Sequence, residues 1–173
     1  MNDQGLQDVR DILDRLRDRY FGKYRGIVTD VEEGGQGRIK ALVSSVLGDQ
    51  KTGWCMPCVP YAGKDSGFVF LPEVGSSVWI EFEGGDLSYP VWTGGFWAAG
   101  EFPSEAAPAK KLIRTAKGHQ ILLDDDGESI TLTDPHGNTV TLDSAGITLA
   151  RGNQKIEVTE SKVSVDGGAL EVS

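Results

Sequence analysis

Between His119 and Ser173 the chain repeats one three-residue pattern, apolar, any residue, apolar, seven times. The copies are Ile121-Leu122-Leu123, Ile130-Thr131-Leu132, Val140-Thr141-Leu142, Ile147-Thr148-Leu149, Ile156-Glu157-Val158, Val163-Ser164-Val165 and Leu170-Glu171-Val172. Their starts are spaced by 9, 10, 7, 9, 7 and 7 residues, and the middle residue is polar in all but the first. A period of two predicts short strands with one apolar and one wet face. Turn formers such as Asp124-Asp125-Asp126-Gly127, Asp134-Pro135-His136-Gly137-Asn138 and Asp143-Ser144-Ala145-Gly146 separate them. No helical pattern runs alongside, and stripes this narrow cannot close a core alone. The apolar face is expected to meet further copies of itself.

Upstream the periodicity changes. Leu6, Val9, Leu13, Leu16 and Tyr20 recur at three- and four-residue intervals among charged residues. This predicts an amphipathic helix over 6–20, ended by Gly22 and Gly26, whose stripe either packs on its own domain or meets a partner. Residues 24–97 read as strand and turn, with apolar runs at 26–31, 38–43, 55–60, 67–70, 77–82 and 90–94. Five or six short strands in this span predict a small Greek-key barrel of the OB type, filled by Phe68, Phe70, Trp79, Phe82, Trp92, Phe96 and Trp97. An Ala- and Pro-rich stretch follows as a semi-rigid linker. The expected division is a helix in 1–22, a barrel in 23–98, a linker in 99–111 and a strand array in 112–173, an all-β chain apart from its first helix.

Charge narrows the functional classes. The net charge of −9 argues against nucleic-acid binding, which needs clustered Lys and Arg. The barrel region sets Glu73, Glu81, Glu83 and Asp86 against few lysines, so its aromatics read as core and not as a base-stacking platform. No run of about 20 apolar residues offers a membrane span. Five charges among the first fourteen residues leave no room for a signal-peptide core, so synthesis and assembly are expected in the cytoplasm.

Candidate chemistry is sparse. Cys55 and Cys58 form a single C-x-x-C without the further ligands that structural zinc needs, and Pro60 argues against the helix a redox motif would open. Both read as structural thiols. The run Asp124-Asp125-Asp126-Gly127-Glu128 lacks the ligand spacing of a calcium loop and reads as a turn. His119 reads as a strand-flanking residue that hydrogen-bonds the chain, and His136 as an exposed turn residue. No catalytic, cofactor-binding or metal-binding residue is assigned, and no cofactor is expected.

Gly48-Asp49-Gln50-Lys51-Thr52-Gly53-Trp54, Val59-Pro60-Tyr61-Ala62-Gly63, Gly67-Phe68-Val69-Phe70-Leu71-Pro72-Glu73-Val74-Gly75 and Phe82-Glu83-Gly84-Gly85-Asp86 closely resemble the OB barrel of phage baseplate assembly protein V and of VgrG spikes. Gly118-His119-Gln120-Ile121, Asp124-Asp125, Ile130-Thr131-Leu132, Asp134, Gly137-Asn138 and Asp143-Ser144-Ala145-Gly146-Ile147 resemble the start of that family's spike. The resemblance implies a homotrimeric central spike of a contractile injection machine, as shared by phage tails, tailocins, extracellular injection particles and type VI apparatus. Its barrels would form a collar, and its C-terminal strands an intertwined trimeric β-helix, or β-prism, in which each chain supplies one strand per face in turn. The expected trimer core is Ile121, Leu123, Ile130, Leu132, Val140, Leu142, Ile147, Leu149, Ile156, Val158, Val163, Val165, Leu170 and Val172.

At a sheet spacing of about 4.7–4.9 Å per strand, seven strands make a stub of roughly 35 Å. Such a rod serves mechanics rather than catalysis. Some members carry a lysozyme domain between barrel and needle, for which the linker has no room, so wall cleavage is not carried over. Others end in an iron-binding His-x-His motif, which is missing here, and many carry a fused hub for which the residues before the barrel are too few. The expected partners are therefore a separate hub protein, docked on Leu6, Val9, Leu13 and Leu16, and a PAAR-type tip on Leu170, Glu171, Val172 and Ser173. The tail tube would be reached only indirectly. A receptor-binding adhesin or tail fibre is the alternative, and it would end in an aromatic head that the residues after Phe102 do not supply. A wall hydrolase is a weaker one.

Overall fold

The computed structural model describes residues 3–172, which divide between Glu101 and Phe102 into two compact units. In the first, helix α1 (Asp3–Arg17) precedes β1 (Tyr24–Val31), β2 (Ile39–Leu42), a one-turn helix α2 (Ser44–Leu47), β3 (Met56–Pro57), β4 (Ala62–Gly63), β5 (Ser66–Gly67), β6 (Ser77–Phe82) and β7 (Pro90–Gly95). Five of the strands form one sheet in the order β2-β1-β6-β7-β3. The sheet closes on itself through residues 51–57. Along the free edge of β2 the Thr52 N–H donates to the Ala41 carbonyl, the Ala41 N–H donates to Thr52 Oγ1, and Cys55 exchanges backbone hydrogen bonds with Ile39, while Met56 and Pro57 pair with Val91 and Trp92 of β7. Both edges are thus occupied by one continuous segment, which is what makes a curled sheet a barrel.

Alternation fills the barrel. Val78, Ile80 and Phe82 of β6 point inward with Val28, Ile39, Ala41, Val43, Cys55 and Trp92. Of the seven aromatics expected inside, Phe82 and Trp92 are buried, whereas Trp79 and Phe96 pack on each other at 4.8 Å outside the core, beneath the Arg25 guanidinium. Phe68, Phe70 and Trp97 are exposed. The reason is topological. The run 67–70 is not a barrel strand, because the chain leaves the sheet there in a separate hairpin, β4–β5.

The helix ends at Arg17, short of the expected Tyr20 and Gly22. Tyr20 is taken by the barrel instead: its N–H donates to the Gly85 carbonyl at 2.9 Å and its ring meets Phe82 edge-on at 6.3 Å. Leu6, Val9, Ile12 and Leu13 stay exposed, so this part of the helix does not pack on its own domain.

Trp92 pins the loop between β1 and β2 by donating its indole N–H to Gly37 O at 3.1 Å. In that loop the Glu32 carboxylate accepts from the Gln36 N–H and from Nε of Arg38, each at 2.9 Å, and from Nη2 of Arg38. The Arg38 guanidinium first, then the Gln36 N–H, holds Glu32 down to about 2 from its ordinary 4.5. A lowered carboxyl stabilises the fold above its unfolded value, and that contribution is lost as pH falls through the folded one. Glu32→Gln is therefore expected to lower the thermal midpoint at pH 7, with the gap to the parent closing between pH 4.5 and about 2, as followed by circular dichroism.

The second unit is a single antiparallel meander: β8 (Lys110–Arg114), β9 (Gln120–Asp124), β10 (Ser129–Thr133), β11 (Asn138–Asp143), β12 (Gly146–Arg151), β13 (Gln154–Val158), β14 (Val163–Val165) and β15 (Leu170–Val172). The seven triplets are its last seven strands. An eighth, β8, comes before them and begins inside the stretch read as linker. Successive strands pair with their sequence neighbours, so one chain builds one continuous sheet instead of stepping from face to face strand by strand. Short turns enforce this. Asp143 Oδ1 accepts the Ala145 and Gly146 N–H groups at 2.8 and 3.2 Å, and Asp134 Oδ1 those of His136 and Asn138 at 2.9 Å, so each turn returns the chain beside itself. Gly146 sits at φ +138°, where an added Cβ would run into the Val158 carbonyl. Only glycine lets β13 approach there.

Candidate functional site

The register of the meander turns the triplets into two unbroken ladders on one face. One runs Ile113, Ile121, Leu132, Val140, Leu149, Ile156, Val165, Leu170, and the other Lys111, Leu123, Ile130, Leu142, Ile147, Val158, Val163, Val172. Every residue expected in the trimer core lies in these two columns. The opposite face carries the middle residues Leu122, Thr131, Thr141, Thr148, Glu157 and Ser164 in one central row.

Within one chain the aliphatic face is bare. Ten of its side chains from Ile121 to Val163 are 37–44% exposed, and Leu170 and Val172 62% and 65%, while the barrel core residues Val28, Ile39 and Ile80 are at 0–1%. The threonine row is the less exposed of the two. In a five-residue strand two side chains point to one face and three to the other. The central polar row is therefore flanked on both sides, and each aliphatic column on one side only. A contiguous aliphatic surface of this extent marks an association site.

Its first strand carries ion pairs. Lys111 occupies the first rung of the second column and pairs with Asp125, while Lys110 on the other face pairs with Asp124 at 3.0 Å. The Gly127 N–H first, and Lys110 next, hold the Asp124 carboxyl below its usual range, and the Asn138 side-chain amide does the same for Asp134. These carboxylates shape turns and ion pairs. His119 donates its N–H to Thr115 Oγ1 at 3.1 Å and accepts the Thr115 N–H through its carbonyl at 2.9 Å, and His136 is exposed in its turn. Cys55 is buried beside Thr52, where burial pushes its thiol up, and Cys58 is exposed.

On the helix, Leu6, Val9 and Leu13 are exposed, and the Leu16 side chain lies outside the described residues. At the other end Leu170 and Val172 are described, whereas Ser173 and the Glu171 side chain are not. Sequence reasoning missed β8, because Lys111 stands where the repeat calls for an aliphatic residue. The signal available was Leu112-Ile113 ahead of the turn at Gly118.

Residues 24–97 match the family model described as the type VI secretion system/phage-baseplate injector OB domain. Residues 110–171 match that of the phage baseplate V C-terminal trimerisation domain. No individual curated protein matches the chain. The second match starts at the first residue of β8 and covers both aliphatic columns up to Leu170, all but the last rung at Val172, so the bare face belongs to a domain whose role is to bring three chains together. The chain belongs to the baseplate V family of VgrG-type spike proteins and is a homotrimeric structural component of a phage-baseplate or type VI injector.

Proposed function

We propose that three copies assemble into the central spike of a contractile injection machine, with the two aliphatic columns of each sheet turned toward a common axis. The observation that carries this reading is the bare double ladder, whose residues are the trimer core: Ile121, Leu123, Ile130, Leu132, Val140, Leu142, Ile147, Leu149, Ile156, Val158, Val163, Val165, Leu170 and Val172. Each aliphatic side chain contributes roughly 1.5–3 kcal/mol when fully buried, so closing three such faces is strongly favoured. Eight hydrogen-bonded strands span about 34 Å at a spacing near 4.8 Å, without an interruption at which the rod could bend. A stiff rod transmits axial load, which suits puncture of a target envelope.

The hub protein docks on the helix stripe of Leu6, Val9, Leu13 and Leu16, of which Leu6, Val9 and Leu13 are exposed, and a PAAR-type tip covers Leu170, Glu171, Val172 and Ser173. Assembly takes place in the bacterial cytoplasm before the particle is complete. Light scattering of the purified chain is expected to give about three times its 18.6 kDa mass, and a stable monomer would overturn the reading. Removing residues 170–173 is expected to keep the trimer and lose the tip protein in a pull-down. Retained tip binding would place that contact elsewhere.

A further inference from the structure

Residues 60–71 leave the barrel and are exposed throughout, yet they hold a defined shape. Ala62 and Gly63 pair with Gly67 and Ser66, the Phe68 N–H donates to the Tyr61 carbonyl at 2.9 Å, and the Tyr61 and Ser66 hydroxyls lie 3.1 Å apart. The hairpin tip carries Lys64 and Asp65, and its stalk is apolar. Phe68 and Phe70 stack at 6.4 Å between centroids and, with Val59, Phe96 and Trp97, line an open groove of about 900 Å³. Val69, between the two rings, is 76% exposed and outside that groove, as alternation in an extended chain requires. One barrel therefore presents both an apolar arm and a groove that is aromatic in part, with Glu73 and Glu101 also in its lining.

We propose that the arm is a contact between protomers: the Val69 side of one barrel's arm seats in the aromatic groove of the next copy around the three-fold axis. The proposal rests on the homotrimer. It commits to a second copy of this chain for three reasons. Twelve residues separate Trp97 from Lys110, a tether of no more than about 45 Å, so the spike holds the other two barrels within reach at millimolar effective concentration. A contact between two different patches of one chain generates a ring when the rotation closes, and three-fold symmetry closes it, with each copy giving one arm and receiving one. Chains of net charge −9 repel one another, and the Val69 side of the arm and the aromatic side chains of the groove bring no charge to the seam, Glu73 and Glu101 being the acids among the groove's lining.

The test uses the full-length chain, purified alone, with the photoreactive residue p-benzoylphenylalanine in place of Val69. Irradiation is expected to give covalent dimers and trimers on a denaturing gel. Adding Phe68→Ser and Phe70→Ser, both at exposed positions that leave the barrel core intact, is expected to cut that yield about tenfold while light scattering still reports three chains. A three-chain mass with monomer bands only would overturn the contact and leave the trimer standing, as would cross-links that form only when a hub protein is added. A monomeric mass would overturn the trimer and the contact together.

Discussion

Ile147→Asp is expected to abolish the trimer, so that light scattering reports a single chain. Ile147 stands in the middle of the second column, between Leu142 of β11 and Val158 of β13, with aliphatic rungs on both sides. Closing three such faces brings three carboxylates together in an apolar interior. The effective penalty of burying an unpaired ion is several kcal/mol for each, before their mutual repulsion is counted. Protonation relieves this only by leaving three buried acids without partners. Thr148→Asp is the matched control, one residue along the same strand but on the outward row between Thr141 and Glu157. Its carboxylate faces Glu157 across the strand pair, which costs no more than about 1 kcal/mol, and the trimer is expected to persist. The same charge one position apart thus separates the two faces.

Trp92→Ala is expected to be the most damaging single change in the barrel. Its side chain is 5% exposed, it pairs with Ile80 of β6 and Pro57 of β3, and its indole holds Gly37. Truncating a buried tryptophan costs about 3–5 kcal/mol in transfer and cavity terms, and the Gly37 carbonyl loses its donor as well. In urea the barrel transition is expected to move to lower concentration, with its unfolding free energy reduced by that amount, and the spike's transition to stay unchanged because the substitution lies in the other unit. Trp92→Phe keeps most of the volume and loses the hydrogen bond, so about 1 kcal/mol of that loss is expected.

Much of this architecture was legible in the residues. The triplets identify their strands, and the residue spacing assigns the aliphatic residues of the last seven to one shared face, because a strand has only two faces and the pattern marks one of them. Asp143, Asp134 and Asp124 mark turns because a short carboxylate reaches the N–H groups two to four residues ahead. Other features were hidden by substitutions that the three-dimensional context accepts. Lys111 takes an aliphatic place at the mouth of the column, where Asp125 pairs with it, and so conceals a whole strand. Tyr20 fits the helical period but is claimed by Gly85 and Phe82, contacts about sixty residues distant. Phe68-Val69-Phe70 reads as a buried strand by hydrophobicity alone, and no local signal says that its neighbours in space are absent.

What the sequence determined by itself is therefore the alternation: short strands, apolar on one side, that demand a partner for that side. Burial favours any arrangement that removes those side chains from water, so period and turn chemistry sufficed to require association. The tertiary structure decided how the strands are distributed. Asp-capped turns and the missing Cβ of Gly146 fold each strand back beside its predecessor, so one chain delivers a complete face with two continuous columns. It also decided which aromatics the barrel keeps and which it leaves outside, because barrel closure through residues 51–57 fills both sheet edges and leaves no ladder for residues 67–70 to join.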